Sequence, residues 1–296
     1  MRQLIVVADD FGAAVEVNEA VEEAHHNGIL TAASLMVSGP AAADAVARAR
    51  RMPCLRVGLH LAIVEARPTL PAPAVSTLLN ADGHLRSDMA ALGVLISVSS
   101  RARRELAAEI GAQFEAFRAT GLELDHCNAH KHFHLHPLVG RMVAEIGGRF
   151  GLRAVRVPLE PVRALRRIEP RTPLLPALAV APAALWLRRQ ARAAGMVAAD
   201  RIFGLQWSGQ MTRQRLSALI ERLPEGLTEI YLHPAFGPYE GSAPGYRYRE
   251  ELEALLAPQT RAACAAHGIE MGGFLDFLDR TSAPRPLAWR VQEEMP

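Results

Sequence analysis

Five of the chain's eleven histidines fall in one short run, His126, His130, His132, His134 and His136, closed by Pro137. Its only lysine, Lys131, sits inside that run, and every other Lys/Arg position is arginine. Neutral imidazole is the commonest protein metal ligand and a ready acid–base group near neutral pH. The run therefore points to a metal or acid–base site, and the plain alternative is a histidine-rich surface strand or loop. Asp9-Asp10, His60, Arg156 and His233-Pro234 are the other candidates. One carboxylate with two imidazoles makes a three-ligand set for a divalent ion that leaves a position for water. A further carboxylate nearby can act as base toward that water. Adjacent Asp9 and Asp10 point to opposite faces of an extended strand. Both reach one site only if the chain turns there, which Gly12 allows. Taken singly, each group has an ordinary reading. Asp9-Asp10 can cap the following helix, His60 and His233 can be satisfied core histidines, and Arg156 can be an ion-pair partner. If residues 130–136 are extended, their even-numbered histidines share one face. One metal cannot take all four, and His136, just before Pro137, reads as local structure.

The elements that must position these groups follow from the hydrophobic pattern. Apolar, β-branched runs predict strands over 4–8, 32–37, 55–61, 122–127, 154–157, 227–232 and 269–272. Helical periodicity covers 15–27, 41–51, 101–120, 138–150, 212–222 and 249–267, while 64–98 reads as a Pro-rich loop with a short helical piece. Strands alternating with helices imply parallel β-α units. Their number predicts an α/β fold, an irregular TIM-like (β/α) barrel, as a single domain over 1–285 with a tail at 286–296. Chemistry in such barrels gathers where strands end and loops begin. Asp9-Asp10, His60, the histidine run, Arg156 and His233 all fall there, so the joint reading is one active site.

The bulk numbers narrow the class. A chain of 296 residues that is 50% hydrophobic can bury a sizeable core. A net charge of +2 argues against a general nucleic-acid binder. Cys54, Cys127 and Cys264 are far apart with no C-x-x-C spacing, so neither a disulfide framework nor a thiolate cage is expected. The N-terminal apolar run is too short for a signal peptide, and no apolar stretch reaches membrane-spanning length. A cytoplasmic protein is the expectation.

Ala8-Asp9-Asp10-Phe11-Gly12, Gly58-Leu59-His60-Leu61, His130-Lys131-His132-Phe133-His134 and Leu232-His233-Pro234 together resemble the YdjC-like family of carbohydrate deacetylases, related in mechanism to the NodB-type polysaccharide deacetylases. The resemblance runs from residue 3 to about 280, apart from an insert. It implies a polysaccharide-deacetylase-type barrel and one divalent metal held by Asp10, His60 and His130. Asp9 would be the catalytic base, His233 the general acid, and Arg156 the support of the base. Lys131, His132, His134 and Asn128 would lie behind the ligands or face the substrate. Zinc is the expected ion from the imidazole ligands, with magnesium, cobalt and nickel as alternatives. One departure stands out. The family commonly has Asp-Ser before the first ligand of the run, and here the pair is Asn128-Ala129, so no carboxylate role transfers to Asn128.

The insert, 159–205, carries eight arginines against three acidic residues, around an apolar centre from Leu174 to Leu187 that includes Trp186. A basic flank beside a Trp-bearing apolar segment suits a lid or a membrane-contacting piece. The alternative is a helical hairpin packed on the barrel or on a partner subunit of a homodimer. With the wording of residues 128–137, the insert resembles the hopanoid-associated branch of the family. That implies an N-acetylglucosaminyl hopanoid (acetylglucosaminyl-bacteriohopanetetrol) as substrate and a peripheral position at the inner membrane face. Soluble chitooligosaccharides are the alternative within the same chemistry, and a non-catalytic metal- or sugar-binding barrel the alternative of another class. A phosphoester hydrolase would call for more carboxylates at strand ends. A glycosidase would call for two carboxylates flanking a sugar bond, which adjacent aspartates do not provide.

Overall fold

The computed structural model describes residues 1–278, so the end of the domain at 285 and the tail at 286–296 lie outside the described residues. The first half runs β1 (Arg2–Phe11), α1 (Val15–Asn27), β2 (Ala32–Leu35), α2 (Ala42–Arg51), β3 (Arg56–Leu61), α3 (Met89–Val98), α4 (Ser100–Ala119) and β4 (Cys127–Ala129). A short 3-10 segment, His130–Leu135, leads into α5 (Pro137–Arg149), α6 (Val162–Leu165) and α7 (Leu175–Ala193). The chain closes with β5 (Arg201–Phe203), α8 (Arg213–Glu221), β6 (Gly226–Leu232), α9 (Tyr248–Leu256), α10 (Pro258–Ala266), β7 (Glu270–Met271) and α11 (Phe274–Leu278). The strands form one parallel sheet in the order β4-β3-β2-β1-β6-β5, with β7 beside the start of β1. Strand β1 is central, and Leu4 to Ala8 are fully buried, as expected for a strand covered on both faces.

The expected barrel takes the form of a curled sheet. Beyond its β4 edge the ladder gives way to isolated bridges, Cys127 to Val155 and Ala154 to Val197. Residues 154–157 carry Arg156 inward and end at Pro158, which cannot donate to a ladder. Three expectations change in detail. The predicted strand at 122–127 shrinks to Cys127–Ala129. The stretch at 64–98 ends in a ten-residue helix, α3, whose apolar residues on nearly every side hide the helical period. The predicted helix over 249–267 is two helices, because Pro258 forces Ala257 into an extended conformation at φ −60°, ψ 123°.

The insert is helical. Helix α7 lays Ala184, Leu187 and Ala191 inward and packs against α5. On its other side Leu175, Leu178 and Leu185 remain 79%, 64% and 47% exposed.

Candidate metal and acid–base centre

The two aspartates sit where β1 loses its regular register between Ala8 and Phe11. Asp10 itself takes a left-handed conformation, φ 62°, which swings its side chain toward the same side as that of Asp9. Aspartate tolerates this region better than most residues. Sequence reasoning assigned the turn to Gly12; it is made by Asp10 first, with Gly12 following at φ 95°. The helix-cap reading fails, because Ala14 occupies the cap of α1 and no side chain caps it. Asp9 and Asp10 are both buried, and their bonds run to other strand ends.

His60 near the end of β3 and His130 just past β4 converge on Asp10. His60 Nε2 and His130 Nδ1 each lie 3.2 Å from Asp10 Oδ1 and 3.4 Å from each other. Among the described residues these three form the group able to hold a metal, their ligand atoms all within 4.8 Å of one another. Two imidazole nitrogens and one carboxylate oxygen converging at these distances are a donor set that fits a divalent ion. His60 Nδ1 lies 2.7 Å from Asn128 Oδ1 and donates to it, which leaves the Nε2 lone pair free to ligate. Burial pushes the His60 imidazole down, but Asp9, Asp10 and Asn128 outweigh that and hold it above its ordinary range. For Asp10, burial acts upward, and His130 and His60 overcome it to hold the carboxyl well below the usual range.

Asp9 is held apart from this cluster. Arg156, fully buried, donates Nη2 to Asp9 Oδ1 at 2.9 Å and Nη1 to Asp9 Oδ2. Its Nε donates to Glu229 Oε1 at 2.6 Å, and its guanidinium lies 4.4 Å from the centre of the Tyr231 ring. Burial acts to raise the Asp9 carboxyl. Arg156, with His60 and His233, more than offsets it, so Asp9 is ionised throughout the neutral range. Asn128 joins the two halves: its Nδ2 donates to Asp9 Oδ1 at 3.0 Å while its Oδ1 accepts from His60. An aspartate at position 128 would instead set a second carboxylate against Asp9.

His233 follows β6. Its backbone N–H donates to Glu251 Oε2 at 2.5 Å, and its ring sits 5.0 Å from that of Tyr246 and 5.7 Å from that of Tyr231. Its Nδ1 is buried without a partner. Burial lowers the imidazole, and Asp10 and Asp9 offset part of that effect.

The family model described as YdjC-like protein matches residues 3–266. The chain belongs to the YdjC-like family. This YdjC-like chain is 31% identical over 280 residues to a carbohydrate deacetylase of Geobacillus stearothermophilus, covering 93% of this chain and 98% of that one. It is 32% identical over 305 residues to a human carbohydrate deacetylase (94% and 91% covered). It is 30% identical over 280 residues to a chitooligosaccharide deacetylase of Enterobacter sp. strain 638 (93% and 98% covered). Among solved structures, a protein of Enterococcus faecalis V583 provisionally named for cellobiose-phosphate cleavage shares the fold. The TM-score is 0.71 at 20% identity, covering 93% of this chain and 98% of that one.

The rest of the YdjC-like chain's histidine run is not extended. Lys131 and His132 adopt left-handed φ values of 53° and 55°, so the even positions do not share a face. His132 Nε2 meets the Tyr231 hydroxyl at 2.9 Å, and burial holds its imidazole well below the usual range. His134 Nε2 meets the Arg156 carbonyl at 2.9 Å, and its imidazole is lowered by burial to about 4. Both pack behind Arg156. Lys131 points to the rim and pairs with Glu65 at 2.5 Å. His136 precedes Pro137, the first residue of α5, and its ring packs 5.9 Å from that of Phe133. Sequence reasoning missed Glu229, Tyr231, Glu251 and Ser34. Glu229 carried a usable signal, since it is the one charged residue in the buried strand Gly226–Leu232. Replacing His60 with alanine is expected to remove bound metal. Elemental analysis of the purified variant checks this, and unchanged metal content would take His60 out of the ligand set.

Proposed function

We propose that this protein is a metal-dependent hydrolase that removes the N-acetyl group from an N-acetylglucosamine-type sugar, releasing acetate and the free amine. The observation that carries the reading is the division of labour between adjacent aspartates. Asp10 joins two imidazoles as a ligand set, while Arg156 keeps Asp9 out of that set and ionised. The relatives named carbohydrate and chitooligosaccharide deacetylases support the acetamide as the bond attacked. Asp10, His60 and His130 would hold the ion, and two nitrogens with one oxygen favour zinc or a neighbouring transition ion over magnesium. When bound, such an ion polarises a carbonyl and lowers the pKa of water. Asp9 takes the proton of the attacking water. His233, just past the end of the neighbouring parallel strand β6, gives a proton to the leaving amine. Burial lowers its imidazole, and the proton that Asp9 takes from the water passes to His233 and from it to the leaving amine, so one proton leaves the water and one reaches the product.

We also propose that the sugar is lipid-linked, the N-acetylglucosaminyl hopanoid being the best candidate, and that α7 contacts the membrane surface peripherally from the cytoplasmic side. The outward row of Leu175, Leu178 and Leu185, flanked by Arg188, Arg189 and Arg192, supports this reading. No helix among the described residues is long and apolar enough to cross a membrane. Mass spectrometry of acetyl loss, with metal quantified, tests the activity on lipid-linked and soluble substrates side by side. Changing Leu175, Leu178 and Leu185 together to serine is expected to cut turnover of the lipid-linked substrate at least tenfold and leave soluble N-acetylated oligosaccharide unaffected. Equal turnover losses on both substrates would end the lipid reading and leave soluble chitooligosaccharides as the substrate class.

A further inference from the structure

The first histidine of the run, His126, takes no part in the chemistry described so far, yet it is fully buried among polar groups. Its Nδ1 lies 2.8 Å from Asp125 Oδ2 and its Nε2 2.9 Å from Ser34 Oγ. Ser34 Oγ in turn accepts from Asn128 Nδ2 at 2.9 Å. Serine, histidine and aspartate in this order are the components of a nucleophilic triad. Here all three are fully buried, and the serine oxygen is already engaged by Asn128, so no substrate can reach it.

The chain of bonds has a single direction. The Asp125 carboxylate only accepts, and the backbone N–H groups of Phe274 and Leu275 hold it in place at 3.1 and 2.9 Å. His126 therefore carries its proton on Nδ1 and offers the Nε2 lone pair to the Ser34 hydroxyl. Ser34, having donated, can only accept from Asn128. The Asn128 amide is thereby fixed with Nδ2 toward Ser34 and Asp9 and Oδ1 toward His60. A flipped amide would set oxygen against oxygen at Asp9 Oδ1 and at Ser34, whose one proton is already committed to His126. The backbone is shaped around this arrangement. A side chain at Gly58 would place its Cβ 2.5 Å from the His126 ring, so the strand beside it can carry only glycine without displacing the imidazole.

We infer that Asp125, His126 and Ser34 are positioning residues that lock the Asn128 amide, and through it hold His60 as the Nδ1–H tautomer with Nε2 free toward Asp10 and His130. The inference rests on the metal reading given above but is tested without it. Nitrogen-15 NMR of the imidazoles in cation-free protein, at a pH where His60 is neutral, reports the tautomer directly. In the native sequence His60 is expected as the single Nδ1–H form. Ser34→Ala and His126→Phe, the second keeping an aromatic ring beside Gly58, are expected to give a mixture of tautomers. Zinc affinity measured by competition titration is expected to fall about tenfold in both. His126→Gln, which can still accept from Ser34, is expected to restore the single form and most of the affinity. Should His126→Phe fail to fold, Ser34→Ala decides by itself. An unchanged His60 tautomer in Ser34→Ala, with zinc affinity within twofold of native, overturns the inference. Failure of the native protein to bind zinc at all would overturn the metal reading instead, and the cation-free tautomer would still decide this one.

Discussion

Asp9→Asn is expected to lower kcat by about 10²- to 10⁴-fold, the range associated with losing a positioned general base, while the protein keeps its divalent metal. The reasoning is geometric. Asp9 receives Arg156 and Asn128, whereas the metal-holding group is Asp10 with His60 and His130. Asparagine keeps the shape and still accepts from Arg156, but it cannot accept a proton from water. Steady-state turnover of an N-acetylated sugar, combined with elemental analysis of the same preparation, separates the two functions. A metal-loaded Asp9→Asn enzyme with native turnover would remove Asp9 as base. Loss of metal would instead place Asp9 among the ligands.

Arg156→Met is expected to destabilise the fold by about 3–5 kcal/mol, because it leaves two buried carboxylates, Asp9 and Glu229, without their cation. For a chain of this size that corresponds to a drop in Tm on the order of 10 °C. Glu229 is already raised by burial in the presence of Arg156, and one of its oxygens, Oε2, has no partner. Adding Glu229→Gln to Arg156→Met is therefore expected to recover part of the loss. The pH dependence has a definite sign. In the native protein the Asp9 carboxyl is depressed below its ordinary 3.8, so its contribution is present above that value and lost only as pH falls further. Without Arg156, only His60 and His233 oppose burial and the carboxyl rises, so the variant is least destabilised in acid. The gap in Tm between native and variant is expected to narrow as pH falls from 7 toward 4. Thermal melts across that interval check it, and a variant melting within 2 °C of native at pH 7 would show that Arg156 is not the counter-ion argued here.

The candidate residues were legible in the sequence as polar groups near strand ends, and their expected division into ligands and base came from the family resemblance. Leu4 to Ala8 stopping at Asp9, and Leu227 to Leu232 stopping at His233, required no tertiary information. The helix over Val15–Asn27 was equally plain, from its period and from Gly28 at its end. What escaped was set by contacts between distant segments. An extended histidine run would have put its even positions on one face, but Lys131 and His132 are left-handed, and His132 Nε2 meets the hydroxyl of Tyr231 on a distant strand. Glu229 and Ser34 look unremarkable in sequence, and they matter only because the sheet places them beside Arg156 and Asn128.

The sequence by itself determined which residue types were available for metal and proton chemistry, and that parallel strands would carry them to one edge of a sheet. That follows from residue chemistry and from hydrophobic periodicity, both of which are local. Only the tertiary structure shows which aspartate joins the two imidazoles and which meets the buried guanidinium. Asp9 and Asp10 are identical in type and adjacent in the chain. They differ because the left-handed turn at Asp10 aims it at two imidazoles, while Asp9 meets the buried guanidinium of a residue far along the chain.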